Sequence, residues 1–318
     1  MKAITLDHGV RVLKYDLPPN NFDPFTAKPE DLARFGLPSI PQNPEILELY
    51  RGIFNRLKGR LHFIEPEFQV NGDRSTGPLS RVSVSAKTST NWSGVVVYPP
   101  SNQAFQWVYG QWVIPNVYLP SNYQAGVWYR CASWIGIDGD SGSKDVFQAG
   151  VVHKIMQNSS SGELEREVHA WAEWFPASAV TITNFPVSPG DLITVTLCSS
   201  DGEGSTTGNA LLSNYNSGAM TIVGLTAPSD KSLVGNCAEW IVEAPTITIA
   251  GGDTVSSMPN YGEVIFTVGQ AGTSRLADPY VSAGSGEVCQ IIETVGSNQE
   301  LVSTAQILNE FAVKCLYE

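Results

Sequence analysis

The sequence predicts an all-β protein: a two-sheet antiparallel β-sandwich of jelly-roll type, preceded by a small and partly helical N-terminal segment. Three observations carry that expectation. The chain combines 29 Gly and 20 Pro with 8 Trp, 11 Tyr and 12 Phe, a mixture that suits short strands and tight turns better than a helical bundle. From Asn91 onward, apolar and polar residues alternate in short runs divided by turn residues. No helical stretch in that region is long enough to compete. At 318 residues with 42% hydrophobic side chains, the chain can bury a sizeable core as one large β domain or as two domains.

Residues 1–88 form the first predicted unit and 89–318 the second. In the first, TAKPEDLARFGL (residues 26–37) reads as a short helix opened by Pro29 and its acidic neighbours and ended at Gly36. A second helix starts at Asn43-Pro44, with Ile46, Leu49, Tyr50, Ile53, Phe54 and Leu57 at helical spacing. Residues 62–87 are polar and rich in Pro, Gly and Ser, the texture of a linker or a cleavable join. In the second unit the predicted strands are 94–98, 105–114, 125–137, 146–156, 165–175, 180–184, 192–198, 219–225, 238–243, 263–268, 288–294, 300–305 and 307–317.

Charge separates the same two units. Residues 1–90 hold 12 basic and 10 acidic side chains, a net of +2, whereas the remainder holds 7 and 21, a net of −14. So acidic a body repels nucleic acid and anionic membranes, and neither is an expected partner. It loses self-repulsion as carboxylates protonate, which suits acidic surroundings; ordinary solubility accounts for the same excess.

Five cysteines, at positions 131, 198, 237, 289 and 315, cannot all pair within one chain, and none lies at C-x-x-C spacing. Neither a zinc site nor a redox pair is indicated, and no metal or cofactor is expected. The first thirty residues contain no apolar run of secretory-signal length, and no run of ~18 apolar residues follows, so signal-peptide export and membrane spanning are both unsupported. Asn91 and Asn158 stand in N-x-S sequons, which matter only in an exported protein.

Four strands carry polar groups that a buried pattern does not require. In NCAEWIVE (236–243), period two puts Ala238, Trp240 and Val242 on one face and Cys237, Glu239, Ile241 and Glu243 on the other. Glu239 has apolar neighbours on both sides along its face, a costly place for a carboxylate without a task. Glu243, beside Pro245 at the strand end, reads as a solvated or salt-bridging group. In SWIGIDG (133–139), Trp134 and Asp138 lie four residues apart on one face, although Asp138-Gly139 also reads as a turn. In DVFQAGVV, Gln148 shares a face with Val146, Gly150 and Val152, and small Ala149 and Gly150 admit close approach of another chain. In HAWAEWFP (169–176), Trp171, Glu173 and Phe175 share one face, either a core strand with a charge at its rim or the wall of a peptide or sugar groove.

Familiar catalytic patterns are missing. Four histidines (8, 62, 153 and 169), two of them in the N-terminal unit, leave little material for a Ser-His-Asp triad, and there is no G-x-S-x-G elbow. H-E-x-x-H, a Walker loop and G-x-G-x-x-G between strand and helix are likewise absent. An enzyme built from this inventory works with carboxylates, amides and water.

The ordered set NWSG (91–94), VYGQWVIP (108–115), SWIGIDG (133–139), FQAGV (147–151), AWAEWFP (170–176), SPGD (188–191) and NCAEWIVE (236–243) resembles the glutamic peptidases, the eqolisin family. The resemblance covers about 91–270. It implies a β-sandwich related in shape to concanavalin-like lectins and a catalytic Gln–Glu pair, matched here by Gln148 and Glu239. Trp134, Asp138, Trp171 and Glu173 match positions that line the family's substrate groove. It also implies secretion and a propeptide removed at low pH, whereas the missing signal segment points to a cytoplasmic or non-classically exported protein.

The chemistry suits these residue types. Ionised Glu239 takes a proton from a water attacking the scissile carbonyl and returns it to the departing amine. The Gln148 amide donates to the developing oxyanion, and apolar flanks would raise the Glu239 pKa by desolvation. The expected protein is thus a monomeric acid endopeptidase acting on polypeptides. Ionic attraction at neutral pH would hold the +2 segment over the groove of the −14 body and inhibit it in cis. Two other classes fit the same residues: a lectin-like sandwich using Trp134 and Trp171, and a glycoside hydrolase using Glu173 and Glu239 as its carboxylate pair.

Overall fold

The computed structural model describes every residue except 20–21, 56–59, 71–79, 82–86, 141, 200, 250–251, 274–279 and 296–297. Two sheet layers face each other across a core to which both contribute. The first layer runs, edge to edge, through Phe68–Val70, Val180–Ile182, Leu164–Phe175, Val146–Gln157, Tyr129–Ile137, Ala238–Glu243, Trp92–Val97, Glu287–Val295, Asn298–Asn309 and Ala312–Tyr317. The second runs through Lys2–Thr5, Arg11–Lys14, Ala219–Thr226, Thr207–Asn214, Leu192–Ser199 and Trp107–Val113. Glu263–Gly272 belongs to both layers. Its first half pairs with Ala312–Tyr317 and its second half with Trp107–Val113, and the register shifts between Thr267 and Gln270, where Val268 sits at φ 56°. A bulge at this corner turns the strand from one sheet into the other.

The alternation that predicted strands also decides which faces meet. Ile135, Phe147, Trp174 and Trp240 point inward from the first layer, and Val108, Trp112, Val195 and Leu212 point inward from the second. Phe147 stacks on Trp174 at 4.9 Å, and the two layers are tied by Trp240 Nε1 donating to Tyr109 O (3.0 Å) and Trp112 Nε1 donating to Ser133 Oγ (3.0 Å). A buried indole needs an acceptor, and here each finds it across the sandwich.

The predicted strands are present with several differences, among them an additional hairpin of Thr246–Ile249 with Gly252–Val255. Thr207–Asn214 carries no strand signal, because Gly208, Asn209, Ser213 and Asn214 all disfavour extended structure; pairing on both sides overrides that preference. The break expected at Gln306 does not occur, and Asn298–Asn309 continues to a turn in which Phe311 N donates to Asn309 Oδ1 (2.9 Å). Residues 62–70, expected to be linker, are partly strand: His62–Phe63 runs parallel to Ala219–Met220, and Phe68–Val70 extends the first layer. The remainder of the expected linker falls mostly outside the described residues.

Both predicted helices form. Pro29–Arg34 opens on its proline, and Pro44–Asn55 is capped by Asn43, whose Oδ1 accepts the N–H of Glu45 at 2.9 Å. Leu57 lies outside the described residues. The helices bury Leu32, Ile46, Tyr50, Ile53 and Phe54 against Trp107, Tyr109, Leu211, Met220 and Ile222, which form the outer face of the second layer. The preceding hairpin adds Val10 and Val12 to the main core. While Phe68–Val70 and Ser80–Arg81 of this segment join the first layer, its helical part lies on the side of the sandwich opposite the Glu239 row. Apolar burial along a helix stripe places it there, and net charge does not.

Asn91 is fully buried and unsuited to carry a glycan, and all five cysteines are free thiols, Cys198 half-buried and the others buried. Among the described residues no helix is long and apolar enough to cross a membrane.

His153 faces the core beside its ladder partner Cys131, and burial pushes its imidazole from 6.5 down to about 3. Below pH 6.5 the unfolded chain therefore binds a proton that the folded chain refuses, and stability falls as pH drops from 6.5 towards 3. At pH 4 the loss is about 3 kcal/mol. His153→Leu, which cannot titrate, is expected to lose less stability than the parent between pH 7 and pH 4, read from urea unfolding midpoints.

Candidate active site

The site begins with a register. Four neighbouring ladders bring Glu173, Gln148, Gly136, Glu239 and Val96 into one row across the first layer. Residues directly opposite in antiparallel strands point to the same side. The inward positions of these strands are taken by Phe147, Ile137, Ala238 and Trp240, so the row faces outward, away from the core. The next row holds Trp171, Gly150, Trp134, Ile241 and Gly94, and the third holds His169, Val152, Ala132, Glu243 and Trp92. Together with Val146 and Ala179, the aromatic and aliphatic members form a second, smaller apolar cluster on this face.

Gly136 occupies the strand between Gln148 and Glu239, so the two side chains, roughly 10 Å apart at their Cα atoms by sheet spacing, share the space above a residue with no side chain. The Glu239 carboxylate leans over that gap: a Cβ added at Gly136 would lie 2.6 Å from Oε1 and 2.8 Å from Trp134 Cζ3. Gly150 has the same purpose one row away, where a Cβ would lie 2.6 Å from Trp134 Cβ. The close approach that the small residues of FQAGV permit is thus made by the neighbouring strand and its indole.

Gln148, Glu173 and Glu239 are each 0% exposed. Gln148 Nε2 donates to Glu173 Oε2 at 2.8 Å, which fixes the plane of the amide, and Oε1 has no donor among the described residues. Trp171 is buried, with an indole N–H that has no acceptor among the described residues.

Glu243 departs from its sequence reading. It is 0% exposed, as buried as Glu239, and accepts Trp134 Nε1 at 2.9 Å and Asn91 Nδ2 at 3.3 Å. Pro245 lies beyond the strand end, but strands on both sides and Trp92 opposite enclose the carboxylate. Its row contains no glutamine, and two donors already engage it. Glu243 holds Trp134 in place, and Trp92 presses edge-on against the same ring at 4.9 Å. A Trp and a Glu on adjacent strands of one motif-rich sheet were visible in the sequence; their register was not.

Asp138 also differs from its expected place. The strand ends at Ile137, and Asp138 turns out of it at φ 71°, so it does not share the face of Trp134. Its carboxylate accepts the N–H groups of Val234 (2.8 Å) and Asn236 (2.9 Å) and so anchors the turn that starts the Glu239 strand. Burial pushes its pKa up from 3.8 to about 7.

The fold and the residues gathered on its outer face define a β-sandwich of the eqolisin kind. The chain belongs to the Peptidase A4 family, whose model matches residues 90–317. Aspergillopepsin-2 of Aspergillus niger is 27% identical over 197 residues, 58% of this chain and 64% of that protein. Scytalidopepsin B of Scytalidium lignicola is 28% identical over 111 residues, 35% of this chain and 38% of that protein. The chain thus spans less than two thirds of the length of these curated relatives. Among solved structures, scytalido-glutamic peptidase with a transition state analog inhibitor gives a TM-score of 0.57 at 21% identity, covering 72% of this chain and 98% of that one. SCP-B in complex with the tripeptide Ala-Ile-His gives 0.54 at 20% identity over the same shares. These likenesses show the fold.

Glu243→Ala leaves the Trp134 indole N–H buried without its acceptor and opens a cavity beside it. We expect a loss of about 3 kcal/mol in denaturant unfolding and a changed tryptophan emission in the folded state, whereas Glu243→Gln retains most of the stability because its amide oxygen still accepts.

Proposed function

We propose that this protein is an acid endopeptidase in which Glu239 activates a water and the Gln148 side-chain amide stabilises the tetrahedral intermediate. The observation that carries the reading is the row in which Gln148 and Glu239 flank a side-chain-free Gly136, with the Glu239 carboxylate leaning over it, so that an acid–base and a hydrogen-bond donor stand on either side of one glycine. Ionised Glu239 takes a proton from water as its oxygen bonds to the carbonyl carbon. One Nε2 N–H of Gln148 is committed to Glu173, which leaves the other for the oxyanion. Glu239 then gives its proton to the amide nitrogen as the C–N bond breaks, releasing an acid and an amine. No covalent intermediate forms.

The remaining predicted residues take supporting roles. Glu173 positions the Gln148 amide, Trp134 and Trp171 wall the groove for the polypeptide, and Asp138 positions the Glu239 strand through the turn before it. Asp138 also favours an acidic working range. Its folded value near 7 lies above 3.8, so the stability it contributes is full below 3.8 and is lost as pH rises through 7.

Hydrolysis of an unfolded protein substrate at pH 3 to 5 tests the roles. Glu239→Gln is expected to lose at least about a thousandfold in kcat. Gln148→Ala should lose about a hundred- to a thousandfold, the loss typical of one oxyanion donor. Gly136→Ala, which pushes a methyl into the Glu239 carboxylate, is expected to fold yet lose most activity. Full activity in either of the first two variants removes the mechanism, and a dispensable Gln148 together with an essential Glu173 would favour the glycoside hydrolase reading instead.

The helical part of the N-terminal segment serves as a structural layer, which the side chains it buries against the second sheet support. Full-length protein incubated from pH 3 to 7 and followed by mass is expected to retain residues 1–70 while active. A gain in activity that coincides with their loss would return the segment to the role of an inhibitory propeptide.

A further inference from the structure

On the side of the sandwich opposite Glu239, the N-terminal segment does not fill all of the space it covers. Between helix Pro44–Asn55 and the outer face of the second layer lies a cavity of about 480 Å³, within the size range of drug-sized ligand sites. Leu49 and Ile53 of the helix and Leu37 of the preceding loop form one wall; the rings of Trp107 and Tyr109 form the other. Thr196 lies on the strand that pairs with Tyr109 and is part of the sheet-side floor.

The polar groups narrow what such a cavity accepts. At one end Tyr15 OH donates to Asn209 Oδ1 (2.6 Å) and Asn209 Nδ2 donates to Gly36 O (3.2 Å), so this end is a closed hydrogen-bonded seam joining segment and sheet. Trp107 is 5% exposed, and its indole N–H has no acceptor among the described residues. No lysine, arginine or histidine side chain lines the walls, and exposed Asp201 is the only charged side chain there among the described residues. The one cationic group among the described lining residues is the exposed Met1 amino terminus, so an anion, like a cation, would leave water for a single exposed counter-charge. Flat apolar rings, by contrast, match walls made of Trp, Tyr, Leu and Ile.

We propose that this cavity is a binding site for a neutral aromatic small molecule of two or three rings, held between the N-terminal helix and the second sheet and independent of the Glu239 row. Because its two walls come from different parts of the chain, an occupant contacts both and strengthens the attachment of residues 1–55 to the sandwich. Binding to the folded chain alone raises stability by mass action.

The test uses full-length protein at neutral pH and the uncharged fluorophore N-phenyl-1-naphthylamine. Saturable binding of one equivalent is expected, with a rise of several degrees in Tm at about a hundredfold excess over Kd. Thr196→Phe, which fills the floor with a strand-favouring side chain, should weaken binding at least tenfold with unchanged far-UV circular dichroism. Leu49→Gln, at a partly exposed helix position, should weaken it as well and provides the test if Thr196→Phe does not fold. Absence of saturable binding, equal binding in both folded variants, or displacement of the fluorophore by a peptide substrate would each overturn the proposal.

Discussion

Everything at the candidate site depends on a residue that has no side chain. Gly136 is flanked by Gln148 on one strand and Glu239 on another, and a Cβ there would come within 2.6 Å of Glu239 Oε1. A β-sheet brings the side chains of adjacent strands into direct contact, whereas those two strands apart are screened by whatever lies between. Placing glycine there converts a sheet surface into a slot. The cost is a backbone with more freedom to lose on folding, and the strand offsets it with the inward neighbours Ile135 and Ile137, both fully buried.

That slot stays in register because each strand is held from behind. Trp240, adjacent to Glu239, is hydrogen-bonded to the Tyr109 backbone across the core, and Phe147, adjacent to Gln148, stacks on Trp174. A slip by one residue would exchange Glu239 with Trp240, burying a carboxylate in the sandwich and exposing an indole, so the core enforces the row. Glu243 and Trp92 then fix Trp134 from the outer side. The polar network and the apolar core specify the same arrangement from opposite faces of one sheet.

The N-terminal segment illustrates how charge and burial compete. A basic segment before an acidic body suggests ionic docking, yet screened surface charges contribute little beside a helix stripe of Leu, Ile, Tyr and Phe set against Trp107, Tyr109, Met220 and Ile222. The helices go where apolar surface is available, on the side away from the carboxylates. Two titrations pull the same fold in opposite directions as pH falls: buried Asp138 gains from protonation, and buried His153 loses.

Period two in NCAEWIVE, FQAGV and AWAEWFP was sufficient by itself to place Glu239, Gln148 and Glu173 on strands opposite their apolar neighbours, and the helix caps at Pro29 and Asn43 were equally legible, because these signals are local. The all-β class followed from the same alternation. Three things needed the tertiary structure. The register that sets Gly136 between Gln148 and Glu239 is a relation among strands remote in sequence. The burial of Glu243 comes from Trp134 and Asn91, 109 and 152 residues away, and Asp138 leaves its strand for amides near residue 235. The strand Thr207–Asn214 exists because its neighbours supply hydrogen bonds that its own residues do not favour. Local chemistry chose the side chains and their faces; only non-local pairing decided which of them meet.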